Sequence, residues 1–542
     1  MNTPDFFRRP RLLAAAALLL AAPLLQARVL FVNNTAQPNG DGSSGAPLSS
    51  LASAQAAAQP GDVITLAASA TPYRGSIVLK EGESLVAAEG ATAAPVIISE
   101  REAAITMANN TTVTGVEVRD SPGHAIDVSG AENVTISSVK LINDAGRNGV
   151  SAATCGGDVR GNSIAYCNAA LFVQNAKNVT LTNVVIDGSA QLGIAAENVT
   201  GLRMTDVEVR NAGNEGNESG VVLRNPGGDV TLTGCRFHDS AGRELHIENT
   251  KSDVHVRIDH CTFTHGEKVL FPALLAGASG SASLTIDVAG STFSGAASDG
   301  IHATAAGNGK LTLNVGTSTF DRDAVGVLAG ASSGATLDVS ITGTKFLRSS
   351  LSAINIASTG GGTVTARVAD NDIAGAPAAS ADCGGCNGMV VMSTMTGHMT
   401  VTIDSNTIHH VEGSAVRVVA GDNSDMRAAV TGNTIREPLG AADTAAIHVQ
   451  AGTLKKDTAT VCADVRANVI SGTWSPSLPP ISIWNRFPGT TVKLPGFAAD
   501  GKAAPAVAAF IARNNRGVKA EARLTTDPAG NAFAGGERCV KP

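Results

Sequence analysis

Six of the eleven histidines in this chain fall between residues 238 and 302: His238, His246, His255, His260, His265 and His302. Arg224, Arg243, Glu244, Glu248 and Asp299 stand among them. An imidazole can take the proton beside a carboxylate, and a guanidinium can pair that acid through two hydrogen bonds. On that chemistry His246 is the expected base and Arg224 or Arg243 the partner of the acid. Glu244 and His302 complete the catalytic candidates, and Arg243, Glu248 and Asp299 are candidates for holding substrate. Glu244, Glu248 and Asp299 could also bind calcium, which takes oxygen ligands, although no spacing rule joins them. No other cofactor is implied. The same residues read more simply as the solvated faces of strands, and the sequence leaves both readings open.

For these groups to meet, the chain must fold back on itself at a period. Leu245 and Ile247 alternate with Glu244, His246 and Glu248, a period of two that buries one strand face and turns the polar set outward. Short runs of this kind recur. One apolar column reads Val118, Leu141, Ile164, Ile186, Val209, Phe237, Phe263, Phe293, Phe320, Phe346, Ile373, Ile408, Ile435 and Ile470, with steps of 22 to 35 residues. A second column, Ile126, Ile194, Val221, Ile301, Ile354, Val416 and Ile447, follows the first. One such unit cannot bury its apolar face alone. Units stacked at the strand spacing of about 4.8 Å can, and about fourteen of them make a single parallel β-helix. Stacking puts His246 and His302 about 10 Å apart with Leu274 and Leu275 between, so they flank a substrate and do not share one atom.

The positions two before the first column test the stacking. They read Val116, Val139, Asn162, Val184, Val207, Cys235, Cys261, Ser291, Ser318, Thr344, Asn371, Asn406, Asn433 and Asn468. Like sits on like. Cys235 and Cys261 are expected as neighbours within disulfide range. The four asparagines are expected to form a structural amide ladder. Asn133, Asn178 and Asn198 each head an Asn-Val-Thr tripeptide, which reads as a turn opening into a strand. His409 and His410 fall on a turn after a strand and read as surface.

Composition fits this picture. The chain has 59 glycines, 43% hydrophobic and only 16% charged residues, which suits many turns around a large core and excludes a disordered chain. A net charge of −7 without a basic block excludes a nucleic-acid partner. Arg8, Arg9 and Arg11 precede an apolar run from Leu12 to Leu25, so residues 1–27 read as a signal peptide. The mature chain is expected to be secreted or periplasmic, with no stable membrane span. Eight cysteines in an exported chain read as disulfides, with Cys155 and Cys167, Cys383 and Cys386, and Cys462 and Cys539 as further expected pairs. Residues 28–62 carry an opening strand and a capping helix from Leu51 to Ala58, with Ser49-Ser50 supplying its N-cap. Residues 63–490 form the β-helix, and 491–542 a C-terminal capping tail with an apolar helical stretch from Ala503 to Ala512.

The stretch from Val32 through Pro60-Gly61-Asp62 to Val63, Ile64 and Leu66, followed by Tyr73-Arg74-Gly75, resembles the opening of the pectin-lyase-like right-handed parallel β-helix superfamily. The coils around Asn406 and Asn433 are similar to repeats of exported bacterial β-helix proteins. The resemblance implies an all-β, right-handed parallel β-helix with short helical caps, covering about the whole mature chain. It also implies an extracellular, acidic polysaccharide or another cell-surface component as partner, handled by a monomer. The superfamily holds polysaccharide lyases, glycoside hydrolases and uronan epimerases as well as non-catalytic, adhesin-like surface proteins, and fold does not choose among them. Arg257-Ile258-Asp259-His260 resembles the W-I-D-H of pectate lyases with Arg in place of Trp, and no catalytic-arginine segment follows. The N-T-D, G-H-G and R-I-K signatures of polygalacturonases and the D-P-H-D of mannuronan epimerases are absent.

Overall fold

The computed structural model describes residues 27–99, 103–143, 169–266, 269–375, 387–439, 444–474, 478–498, 503–516, 518–524 and 532–540. Residues 1–26 of the expected leader, and Cys155, Asn162, Cys167, Cys383 and Cys386, lie outside the described residues.

Each coil passes through three short strands, as in Leu245–Asn249, Asp253–Asp259 and Thr262–Thr264. Every strand pairs in parallel with its equivalents one coil away. The described residues thus build sheets of sixteen, eighteen and fifteen strands, termed sheets 1, 2 and 3 in the order just given. Alternation dictates the core. In sheet 1, Leu245 stacks between Val221 and Leu274, and Ile301 follows Leu274. In sheet 3, Phe237, Phe263, Phe293, Phe320 and Phe346 are buried in register. The last four rings stack with centroids 4.5, 4.8 and 4.9 Å apart. Burying each ring stabilises the coil by roughly 2–3 kcal/mol, before any gain from ring stacking.

Leu141 pairs with Ile186, Ile126 with Leu171 and Val134 with Val179 in adjacent strands, and Ile164 lies outside the described residues. Two coils precede the expected first one, through Tyr73 and Ile97.

The column ahead of sheet 3 stacks like on like. The side-chain carbonyl of Asn433 accepts from the backbone N–H and the side-chain amide of Asn406 at 3.0 and 2.9 Å. Its own amide donates to Ile403 O, Thr431 O and Asn468 Oδ1. Asn371, Asn406 and Asn468 repeat the scheme, and Asn515 at the end of the C-terminal helix adds a fifth member by accepting from Asn468. Cys235 and Cys261 do lie on adjacent coils, but as two buried free thiols and not as the expected disulfide. In-register residues point the same way with Cβ atoms about 4.8 Å apart, whereas a disulfide needs about 3.8 Å. Each thiol instead donates to carbonyls, Cys235 to Met204 O at 3.6 Å and Cys261 to Leu232 O at 3.5 Å. A second amide row runs outside the coil. Asn133 and Asn178 sit in left-handed turns, with φ of 58° and 53°, and Asn178 donates to Asn133, which donates to Asn110.

Both ends are covered. At the N-terminus α1 (Leu51–Ala57) begins in a capping box between Ser50 and Ser53 and buries Leu51 and Ala54. At the other end α2 (Ala504–Asn514) buries Val507 and Ile511. The tail also contributes strands Thr491–Pro495, Ala520–Leu524 and Ala532–Gly536 to the sheets. The disulfide between Cys462 and Cys539 pins it, with Cα atoms 5.4 Å apart.

Asn433→Ala is expected to strand the Asn406 amide and the Ile403 carbonyl in the core and to cost about 2–4 kcal/mol by urea denaturation. The outward-facing Asn355→Ala should stay within about 0.5 kcal/mol of the parent.

Candidate functional site

The outward row of sheet 1 reads Val222, His246, Leu275, His302, Leu328 and Asn355 in successive coils. The second outward row begins Arg224, Glu248, Gly277 and Thr304. Strand periodicity therefore places His246, Arg224, Glu248 and His302 on one face, as expected from the alternation.

His246 is half-buried, and desolvation drives its pKa below the ordinary imidazole value to about 4, with Arg243 and Arg224 adding charge repulsion. It is a neutral imidazole beside two cations. Arg224 pairs with Glu248 of the next coil at 3.4 Å, while its Nε is buried without a hydrogen-bond partner among the described residues. Arg243 lies over the Phe271 ring at 4.8 Å, and burial holds its guanidinium below its ordinary value. Phe271 in turn packs on Gly216, where an added Cβ would come within 2.4 Å of the ring. The loop carrying Gly216 is held by Glu218, whose carboxylate accepts from the backbone of Asn214 and Glu215 at 2.5 and 2.9 Å. Upstream, the outer face is apolar, where Ala169, Leu192, Ala195 and Val222 cluster with Phe172 against them.

Glu244 departs from expectation. It precedes the strand, where the chain is still turning, and its side chain is fully buried and not outward-facing. It accepts from His265 Nδ1 at 2.9 Å and from the backbone and hydroxyl of Ser240 at 3.1 and 2.6 Å. Removing one partner of such a buried pair costs about 3–5 kcal/mol, so Glu244 holds the corner. Asp299 is likewise buried and accepts from His302 Nδ1 at 2.9 Å. Glu244, Glu248 and Asp299 each have a different partner and do not converge on one point. The other histidines scatter. His238 faces Glu208 and Asp239 on sheet 3, His255 faces Asp287 on sheet 2, and His260 is exposed beside Asp259.

Two groups had not been foreseen. His265 is the buried partner of Glu244. Asp323, also buried, has its carboxyl pushed up by burial to about 7, with Asp321 and Asp299 adding repulsion. Its Oδ1 accepts from Ala296 N at 2.9 Å. A signal for such groups does exist in the sequence: Glu218, Glu244, Asp299 and Asp323 all stand within a few residues ahead of an inward apolar residue of sheet 1.

With this geometry the comparisons agree on architecture. A profile described as "Right handed beta helix region" matches residues 103–263. The chain is a right-handed parallel β-helix. The β-helix is similar to pectate lyase Pel9A (13% identity, TM-score 0.31, covering 59% of this chain and 76% of that one). It is similar to PfbA, a surface adhesin of Streptococcus pneumoniae (13%, 0.33, 72% and 86%). It is also similar to a family 28 exopolygalacturonase of Yersinia enterocolitica (12%, 0.37, 80% and 79%). These likenesses concern the fold alone. No curated protein matches the chain. Among the described residues, no helix of the β-helix protein is long and apolar enough to cross a membrane.

The lowered His246 value has a consequence for stability. Between pH 6.5 and about 4 the unfolded chain takes up a proton at this site that the folded one refuses. The site's contribution is therefore full above pH 6.5 and is lost as pH falls through that window. Urea midpoints measured across it should fall less steeply for His246→Gln than for the parent.

Proposed function

We propose that this β-helix is an exported, monomeric protein that offers the outer face of sheet 1 to an acidic extracellular polysaccharide and acts on it beside His246. One observation carries the reading: a neutral imidazole stands near two guanidiniums on an open strand face. A uronate carboxylate paired with Arg224 or Arg243 makes the adjacent ring proton more acidic, and His246 is in the base form needed to accept it. In elimination, that C–H pair becomes the new C=C bond, the glycosidic C–O bond breaks, and the departing oxygen takes a proton. In epimerisation, a proton returns to the opposite face. Glu248 sets the position of Arg224, and the His302–Asp299 pair meets the polymer two coils along.

A second reading, a non-catalytic adhesin-like rod, is favoured by the separation of His246 from His302, which stand two coils apart with Leu275 between them. Pectate, alginate and other acidic glycans, incubated with the protein with and without calcium, decide between them. Unsaturated ultraviolet-absorbing ends are expected, with the rate reduced at least about 100-fold in His246→Ala. Turnover equal in parent and variant would overturn the role of His246. Absence of turnover on every polymer, together with glycan retention that is lost in Arg224→Ala, would favour the rod.

A further inference from the structure

Away from the outer face of sheet 1, we propose that His409, His410 and Glu437 form a binding site for a first-row divalent transition metal, zinc by preference. The coil register builds it. His409 ends the strand Thr407–His409 of sheet 3, and Arg436 is its partner one coil on. His410 and Glu437 follow at the same turn position in those two coils, joined by a hydrogen bond from His410 N to Glu437 O at 2.9 Å. Their side chains consequently leave the rod side by side. One nitrogen from each ring and one oxygen of Glu437 lie within 4.8 Å of one another. The close packing needs Gly375 beneath it, where any Cβ would come within 2.0 Å of the His410 carbonyl oxygen.

The ring nitrogens converge on a point that a metal ion could take in place of the proton they share. His409 Nδ1 and His410 Nδ1 face each other at 2.6 Å. Asp372, on the preceding coil, lies 3.2 Å from His409 Nε2. A carboxylate there holds the Nε2 proton and leaves the Nδ1 lone pair aimed at the site, the arrangement that orients a metal-binding imidazole. Two nitrogens on one zinc ion stand about 3.3 Å apart, so the rings need open by less than about 1 Å. Two imidazoles and a carboxylate suit zinc, copper or nickel and not the all-oxygen preference of calcium or magnesium. His409 is mostly buried while His410 and Glu437 are about half-exposed, which leaves the remaining coordination positions to water. Arg436 opposes binding, because its Nη1 holds Glu437 Oε2 at 2.6 Å.

Zinc titration of the full chain after chelator treatment, followed by calorimetry and by the visible bands of cobalt(II) as substitute, tests the site. One saturable equivalent is expected to disappear in His410→Ala, to weaken about 10- to 100-fold in Asp372→Asn, and to tighten in Arg436→Gln. Circular dichroism should show all three variants folded. If His410→Ala does not fold, Asp372→Asn and Arg436→Gln still decide. Titrations identical to the parent in those two variants, an absence of zinc binding, or calcium binding at this site in place of zinc would overturn the proposal.

Discussion

Hydrogen bonding between successive coils is the constraint on which everything else rests. A strand in this chain has no partner within its own coil, so each backbone N–H and C=O must find its mate one turn above or below. Pairing of this kind tolerates no slip, because a shift by one residue would turn every inward side chain outward. The register fixes columns. A column of phenylalanines and a column of amides are two results of the same repeated displacement.

Polar groups inside the rod follow from that constraint as well. The tight corner between sheets 2 and 3 leaves backbone groups that no strand can satisfy, and the asparagines of that column bond them while bonding each other. Where the column carries Ser291 and Ser318, hydroxyls do the same task with shorter reach. The corner entering sheet 1 has no repeated residue type, and there Glu218, Glu244, Asp299 and Asp323 each solve a local problem with a different partner. Buried carboxyls are concentrated at this corner because it is irregular. Buried carboxyls fix loops on one side of it, and His246 stands on the strand face on the other.

Much of this was legible in the residues. Period-two alternation and like-on-like columns yielded the coil and the outward placement of His246, Arg224 and Glu248, helical patterns near the two ends yielded the caps, and the cysteines of an exported chain the Cys462–Cys539 bridge. Errors arose where a local motif stood without its neighbours. Glu244 satisfies the alternation of the strand that follows, but it lies before the strand begins, and its partner His265 is a full coil later. The Cys235–Cys261 bridge failed on a distance that stacking imposes, not on adjacency. The metal site was hidden for a similar reason: His409-His410 is a plain surface pair until the turn of Glu437 is laid beside it.

Distances between spin labels along one outward column of sheet 2 test the stacked register most directly. Asp229 leads in register through His255, Thr285, Thr312, Asp338, Thr365 and Thr400 to Arg427. Asp229→Cys paired in turn with Asp338→Cys, Thr365→Cys and Arg427→Cys spans four, five and seven coil steps. Pulsed electron resonance should return about 19, 24 and 34 Å, rising by one strand spacing per coil. Distances that are broad, or that fail to rise by one strand spacing per coil, would contradict the register and remove the basis for both proposed sites.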